Sequence, residues 1–228
     1  MQKSNAIHLI FAATFAVSVA SAASSEPFWR AKPKVFKKVT EDRQIVVSVD
    51  AEKLPDNLPT KSILHMEGGG LVDTDAAATF AEAQNYDELK KVSDHVLEVR
   101  VGPAPQDLFL HTAAFDYHAR MTMRVTAETS ADGVRHLRFM VLEGNFKGMT
   151  GDFSFAEYVP EAASLSKRGT LMGFHADYGY SVLPMPQFFV EFGLEVVLQR
   201  VASRMRTFLE EKLKAKAMTP ATKKQPTI

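Results

Sequence analysis

The chain has no cysteine in its 228 residues. That single absence excludes disulfides, thiolate metal sites, a thiol nucleophile and a lipid-modified cysteine at a cleavage site. An excess of charge of one sign is also missing, with 27 basic residues against 27 acidic. Without a basic surface to neutralise phosphates, nucleic acid is excluded as a partner. No HExxH, no GxSxG and no cluster of metal-spaced histidines occurs, so zinc and serine-triad chemistry have no footing and no cofactor is expected. Long apolar runs are scarce too. The one such stretch, residues 6–20, is short for a membrane span.

That stretch has the form of an export signal. Lys3 supplies a positive start, the apolar run carries no acid, and Ala20-Ser21-Ala22 is a small-x-small cleavage site. Residues 1–22 are therefore expected to be a signal peptide cut after Ala22, leaving a periplasmic or secreted protein; the competing reading is an N-terminal membrane anchor. Removing Lys3 from 27 leaves 26 basic against 27 acidic residues. The remainder is enough for one domain with a hydrophobic core. Residues 23–42, with Pro27, Trp29 and Pro33, read as an irregular arm whose aromatics lie down on the domain. Residues 43–213 form the domain, and the polar tail 214–228 reads as disordered, basic enough for transient contact with an anionic membrane.

Residues 43–51 (RQIVVSVDA) and 62–72 read as strands on either side of the LPDNLP turn. Gly68-Gly69-Gly70 allows a bulge or a close backbone approach and lacks the spacing of a dinucleotide fingerprint. Asp73, Thr74 or Asp75 can cap a helix over 76–83. Asn85-Tyr86-Asp87 breaks it, a second short helix follows at 88–91, and 96–101 reads as a strand. Beyond Leu108 strands dominate. Phe115, Tyr117, Met121, Met123 and Val125 share one parity, and Asp116, His118, Arg120, Thr122 and Arg124 the other, which means one buried and one wet face. The SADG turn at 130–133, strands at 138–142, 152–158 and 170–183, and a long amphipathic helix over 187–213 complete the order. The helix stripe runs Val190, Leu194, Val197, Val201, Met205, Phe208, widened by Phe189, Phe192, Val196 and Leu198.

The stretch VLEGNFKGMTGDFSFAEY, residues 141–158, poses a choice between a phosphate loop and a hairpin. Lys147 precedes Gly148, Thr150 lies beyond Met149, and DFSF alternates like a strand. Order and context both fail for a Walker loop, so the glycines are expected to serve a tight turn with Phe153 and Phe155 on one face.

Strand, strand, two small helices, antiparallel strands and a long C-terminal helix resemble the START-like superfamily, which includes polyketide cyclases, lipid-transport proteins and plant allergens. Three stretches carry the resemblance: DTDAAATFAEAQNYDELKKVSDHVLEVRV, VLEGNFKGMTGDFSF and the proline-led SVLPMPQFFVEFGLEVVLQRVASRMRTFLEEKL. It covers residues 43–213 and implies an α+β helix-grip fold, a curved antiparallel sheet wrapped around the last helix. It also implies a hydrophobic small-molecule partner (lipid, quinone or polyketide-like) held between the two. Fold alone does not select the ligand or the chemistry.

Ligand-facing side chains are expected from the sheet at Phe115, Tyr117, Met121 and Met123, then at Phe139, Phe153, Phe155, Phe174 and Tyr178. The helix adds Phe189, Leu194 and Val197. Methionine and aromatics suit an adaptable apolar pocket; the plainer reading is that they fill an ordinary core. For catalysis the weak candidates are His118, on the wet face, and His175 with Asp177. That last pair lines a cavity only if Phe174, Tyr178 and Tyr180 face outward. Three functions stay open: an exported carrier of an apolar molecule, a cyclase- or hydrolase-type enzyme using a pocket histidine, and a cavity-free module docking on an unknown protein partner.

Overall fold

The computed structural model describes residues 32–114, 117–160, 168–181 and 187–218, with the side chains of all but Ala114, Tyr117 and Phe189. The expected signal at 1–22, Phe115 and residues 219–228 lie outside the described residues. The chain runs α1 (Pro33–Thr40), β1 (Val46–Lys53), β2 (Ser62–Val72), α2 (Ala76–Ala83), a 3-10 turn (Tyr86–Glu88) and α3 (Leu89–Val92). Strands β3 (Val96–Val101), β4 (Asp107–Ala114), β5 (Tyr117–Thr129), β6 (Arg135–Gly144), β7 (Thr150–Tyr158) and β8 (Gly169–Tyr180) follow. Helix α4 (Gln187–Met218) is last. The strands form one antiparallel sheet in the order β1-β2-β8-β7-β6-β5-β4-β3. This is the expected α+β helix-grip architecture.

Register sets which side chains meet. Across six strands the pairs Val49–Met66, Met66–Ala176, Ala176–Gly151, Gly151–Phe139 and Phe139–Val125 make one continuous row. Paired residues share a face, so this whole row points one way. Val190, Leu194 and Leu198 of α4 pack on it. The next rows out, Ser48-Glu67-His175-Asp152-Arg138 and Asp50-His65-Asp177, point away from α4. The alternation of apolar and polar residues in β5 thus divides the two faces as expected, with Ala119 and Met121 buried and His118 and Arg120 exposed.

Glycines act at two kinds of position. The β6–β7 turn has positive φ at Gly144 (85°) and Gly148 (87°), the region that favours glycine. Gly151 lies inside β7, where a Cβ would run into the Phe139 ring and the His175 carbonyl, so its bareness lets the ring cross the strand. The Gly68-Gly69-Gly70 run holds continuous register with β8, and Gly68 and Gly69 do so with β1. A Cβ at Gly68 would lie 3.1 Å from the Val46 carbonyl oxygen, the close approach rather than the bulge. Bulges occur instead at Val96/Glu98 and Thr122/Met123.

Two boundaries differ from expectation. The arm expected to be irregular contains α1, which begins on Pro33, whose fixed φ suits a first helical position. Val35, Phe36 and Val39 give it an apolar face that packs on Val46, Leu71, Ala156, Tyr158 and Leu171, on the side of the sheet away from α4. Helix α4 also continues past residue 213 to Met218, into the stretch read as disordered. The buried carboxylate of Glu82 draws Lys212 and Lys216 onto α2 and holds that last turn in place.

Candidate functional site

Helix α4 packs closest to β1 and β2, the sheet's first edge, and to α2 and α3. Its Glu195 carboxylate accepts a hydrogen bond from the Val49 backbone N–H (3.2 Å), capping an edge strand that would otherwise present open donors. On the α4-facing side of β5 to β8, Met121, Leu137, Phe139, Val141 and Phe155 are buried and Phe153 is left exposed. That opening, with the sheet as floor and Val190, Leu194 and Leu198 of α4 beside it, forms a shallow apolar trough.

The floor is aromatic at its centre. Phe139 lies parallel to Phe174 with centroids 6.4 Å apart, and Phe153 sits 5.8 Å from Phe139 and 5.0 Å from Phe174. Phe153 faces the helix side yet remains 38% exposed, which marks the place the helix does not reach. Met121 is buried and Met123 half-buried beside it, touching Met149 and Phe146. Phe155 shares that face but is fully buried, edge-on to Phe80 of α2 at 5.5 Å, so at that end a helix closes over the sheet. Leu194 meets the sheet and Val197 is half-buried. Phe115 lies outside the described residues, and Tyr117 and Phe189 are described by backbone alone.

One lining residue escaped the sequence. Phe146, in the β6–β7 turn, has φ 61° and packs edge-on to Tyr178 at 5.3 Å. A bulky residue at positive φ stores strain of order 1–3 kcal/mol, which the surrounding contacts have to hold. Tyr178 stacks on Tyr180 at 6.3 Å, and both pack against the core cluster that contacts α4. The Tyr180 hydroxyl is buried with no hydrogen-bond partner. Leaving a buried hydroxyl unpaired costs about 1–3 kcal/mol, so it stands ready for an acceptor.

The weak catalytic candidates lie elsewhere. Because Phe174, Tyr178 and Tyr180 face the helix, His175 and Asp177 face the other way. There His65 Nδ1 lies 2.7 Å from Asp177 Oδ1, His65 Nε2 lies 3.3 Å from Glu52, and His175 Nε2 lies 3.1 Å from Asp177 Oδ2. Partial burial disfavours the charged His65 ring, but the hydrogen bonds and charges of Asp177 and Glu52 outweigh it and raise its pKa. His118 stands on the same outer face, 3.0 Å from His111. Among the described residues no group of three metal-ligating side chains converges, and no helix is long and apolar enough to cross a membrane.

The far end of α4 is fixed. Glu82 of α2, almost fully buried, is paired with Lys212 and Lys216 and accepts from Asn85 (3.3 Å). Burial would raise the Glu82 pKa; the two lysines override it and hold the carboxyl below the ordinary glutamate value. Glu210 accepts from the Asp73 backbone N–H (3.0 Å), Arg206 donates to the Arg43 carbonyl (2.8 Å), and Leu209 is completely buried.

No protein-family model matches the sequence, and no curated protein does. Solved structures do resemble it. A START superfamily protein from Mycobacterium smegmatis matches with TM-score 0.52 and 15% identity, over 65% of this chain and 98% of that one. A STAR-related lipid transfer protein fragment from Xanthomonas axonopodis matches with TM-score 0.54 and 13% identity, over 72% and 93%. The Zhui aromatase/cyclase from a Streptomyces strain matches with TM-score 0.50 and 14% identity, over 69% and 99%. At such identities the likeness is one of fold, and the fold is START-like.

Proposed function

We propose that this chain is an exported carrier of an apolar small molecule, held in the trough between β5–β8 and the N-terminal half of α4. The observation that carries the reading is the pairing of an incompletely covered aromatic floor with one buried, unpartnered hydroxyl, that of Tyr180. Apolar walls with a single polar anchor suit a ligand whose body is hydrocarbon and whose polarity is one acceptor oxygen: a ketone, a quinone or a lipid carbonyl. Named START-like neighbours include a lipid transfer protein and an aromatase/cyclase, both of which point to apolar or polyketide-like cargo. Export rests on residues 1–22, and a chain without cysteine tolerates an oxidising compartment. Phe188 and Phe192, stacked 6.2 Å apart and both more than half exposed, stand in the first turns of α4. They give the carrier an apolar contact for a membrane while it loads.

Native mass spectrometry of the chain purified from the exported fraction, before and after solvent extraction, tests the carrier directly. A defined extra mass that extracts into organic solvent is expected. Matched probes test the anchor: 9-fluorenone binds more tightly than fluorene, and Tyr180→Phe removes most of that difference, about tenfold in affinity, the worth of one ligand hydrogen bond. A bare chain that binds neither probe overturns the reading. Tight fluorene binding that is blind to the carbonyl overturns the role of Tyr180 alone.

A further inference from the structure

The two edges of the sheet are finished differently. At β1 the Val49 N–H is capped by the Glu195 carboxylate of α4. At the other end of the strand order stands β3, whose one strand neighbour among the described residues is β4. Gly102, just past β3, donates its N–H to the Asp107 carbonyl at 2.6 Å. These two residues continue the β3–β4 register, and hydrogen-bonded pairs alternate along an antiparallel ladder, so the next ones fall at Arg100–Phe109 and Glu98–His111. Val99 and Val101 therefore turn their N–H and C=O groups outward. Such open groups are a template for another strand, and edges are commonly blunted by lysine or proline. Val96–Val101 (VLEVRV) has neither. Its bulge falls at Val96/Glu98, near the strand's start, and Glu98 to Val101 keep regular register.

The side chains say what fits there. Leu97 is 46% exposed and Val101 54%. Glu98 and Arg100 share the opposite face from Val99 and join each other at 2.7 Å. The Arg100 guanidinium also lies 4.6 Å over the Phe109 ring, which keeps it against the sheet. When two identical strands pair antiparallel with like faces on one side, a two-fold axis passes a residue that meets itself. A centre at Glu98 or at Arg100 sets like charges together, which is unfavourable in a cross-strand pair. Only a centre at Val99 sets Glu98 of each copy across from Arg100 of the other. The same centre sets Leu97 beside Val101 and lets the two Val99 backbones, whose groups point outward, exchange a pair of hydrogen bonds. A guanidinium has donors enough to keep its own glutamate and take a second one.

We infer that β3 is a self-recognition edge: it pairs antiparallel with β3 of a second copy about a two-fold axis at Val99 and joins the two sheets into one. The contact is a single short strand, below the area of a standard stable interface, so the dimer is expected to be weak, with a Kd on the order of 10 μM. It is independent of the trough and of what the trough holds.

Sedimentation velocity of the purified full chain, from about 1 to about 200 μM, brackets a Kd of that order and is expected to show monomer passing to dimer. Glu98→Arg sets arginine against arginine and Arg100→Glu sets glutamate against glutamate, so each alone weakens self-association about tenfold or more. Mixed in equal amounts, the two variants dimerise with each other, because every cross-strand pair is again of opposite charge although the pair within each strand stays broken. The double reversal, with both pairs restored, associates like the unmodified chain and keeps the test intact where a single reversal perturbs the strand. A chain that stays monomeric throughout overturns the inference, as does a pair of folded single variants that fail to combine. A dimer indifferent to both reversals overturns it too, and loss of that dimer in Phe192→Ala assigns the self-contact to α4 instead.

Discussion

The two halves of α4 are built to different standards. Toward its C-terminus Leu209 is sealed, Glu82 clasps Lys212 and Lys216, and Arg206 and Glu210 bind backbone across to Arg43 and Asp73. Toward its N-terminus no described side chain is fully buried, and Phe188, Phe192 and Val196 stand exposed. One helix is thus an anchor at one end and a movable wall at the other. Motion is cheapest where buried contacts are fewest, and that is the half that borders the aromatic floor.

The comparison breaks most directly at the anchor. Glu82→Ala takes the buried partner from Lys216 and from Lys212, which is left with Glu88 alone at 3.4 Å, and is expected to cost about 3–5 kcal/mol, read from urea unfolding. Its carboxyl is held below the ordinary glutamate value, so the stability it gives is present above that value and drains as pH falls through the lowered one. Leu209→Ala follows at about 2–5 kcal/mol, whereas Phe192→Ala changes stability by no more than about 0.5 kcal/mol. Equal costs at residues 209 and 192 erase the distinction between the halves. Gly151→Ala forces Phe139 off the β7 backbone, costs about 1–3 kcal/mol and weakens fluorenone binding together with stability. Hydrogen exchange sharpens the contrast without mutation, with amides of residues 190–200 exchanging well before those of 205–213. The smallest effect belongs to His65. Its raised pKa gives stability that is complete below the ordinary histidine value and is lost as pH rises through the raised one. The gap in urea midpoint between the unmodified chain and His65→Gln is therefore expected to narrow from pH 6 to pH 9.

Much of this was legible in the sequence because it is local. Strands 62–72 and 96–101 and the helix 76–83, capped by Asp75, follow from period, turn residues and caps alone. Parity in β5 placed Met121 and Met123 on the buried face, and the failed Walker pattern placed a hairpin at Gly144–Gly148. What escaped depends on distance along the chain. Nothing near Glu82 announces Lys212. The prolines around α1 read as breakers, although Pro33 opens a helix once Leu71 and Leu171 offer it a surface. Leu209 stands one residue off the stripe taken through Met205 and Phe208, because where the core lies around α4 is decided by α2 and α3. Tyr180 was visible as a polar group near the pocket. That its hydroxyl is left without a partner only the packed structure reveals.

The strand order has a consequence in time. β1 and β2 form a hairpin at the start of the domain, yet β2's other neighbour is β8, so Ser62 must wait for Tyr180. Closing so long a loop makes completion of the sheet a late, topology-limited step, since its entropy is lost before the contacts return it. Until the last strand arrives the trough has no floor between its two halves. A nascent chain therefore lacks the joined aromatic floor until β8 is in place.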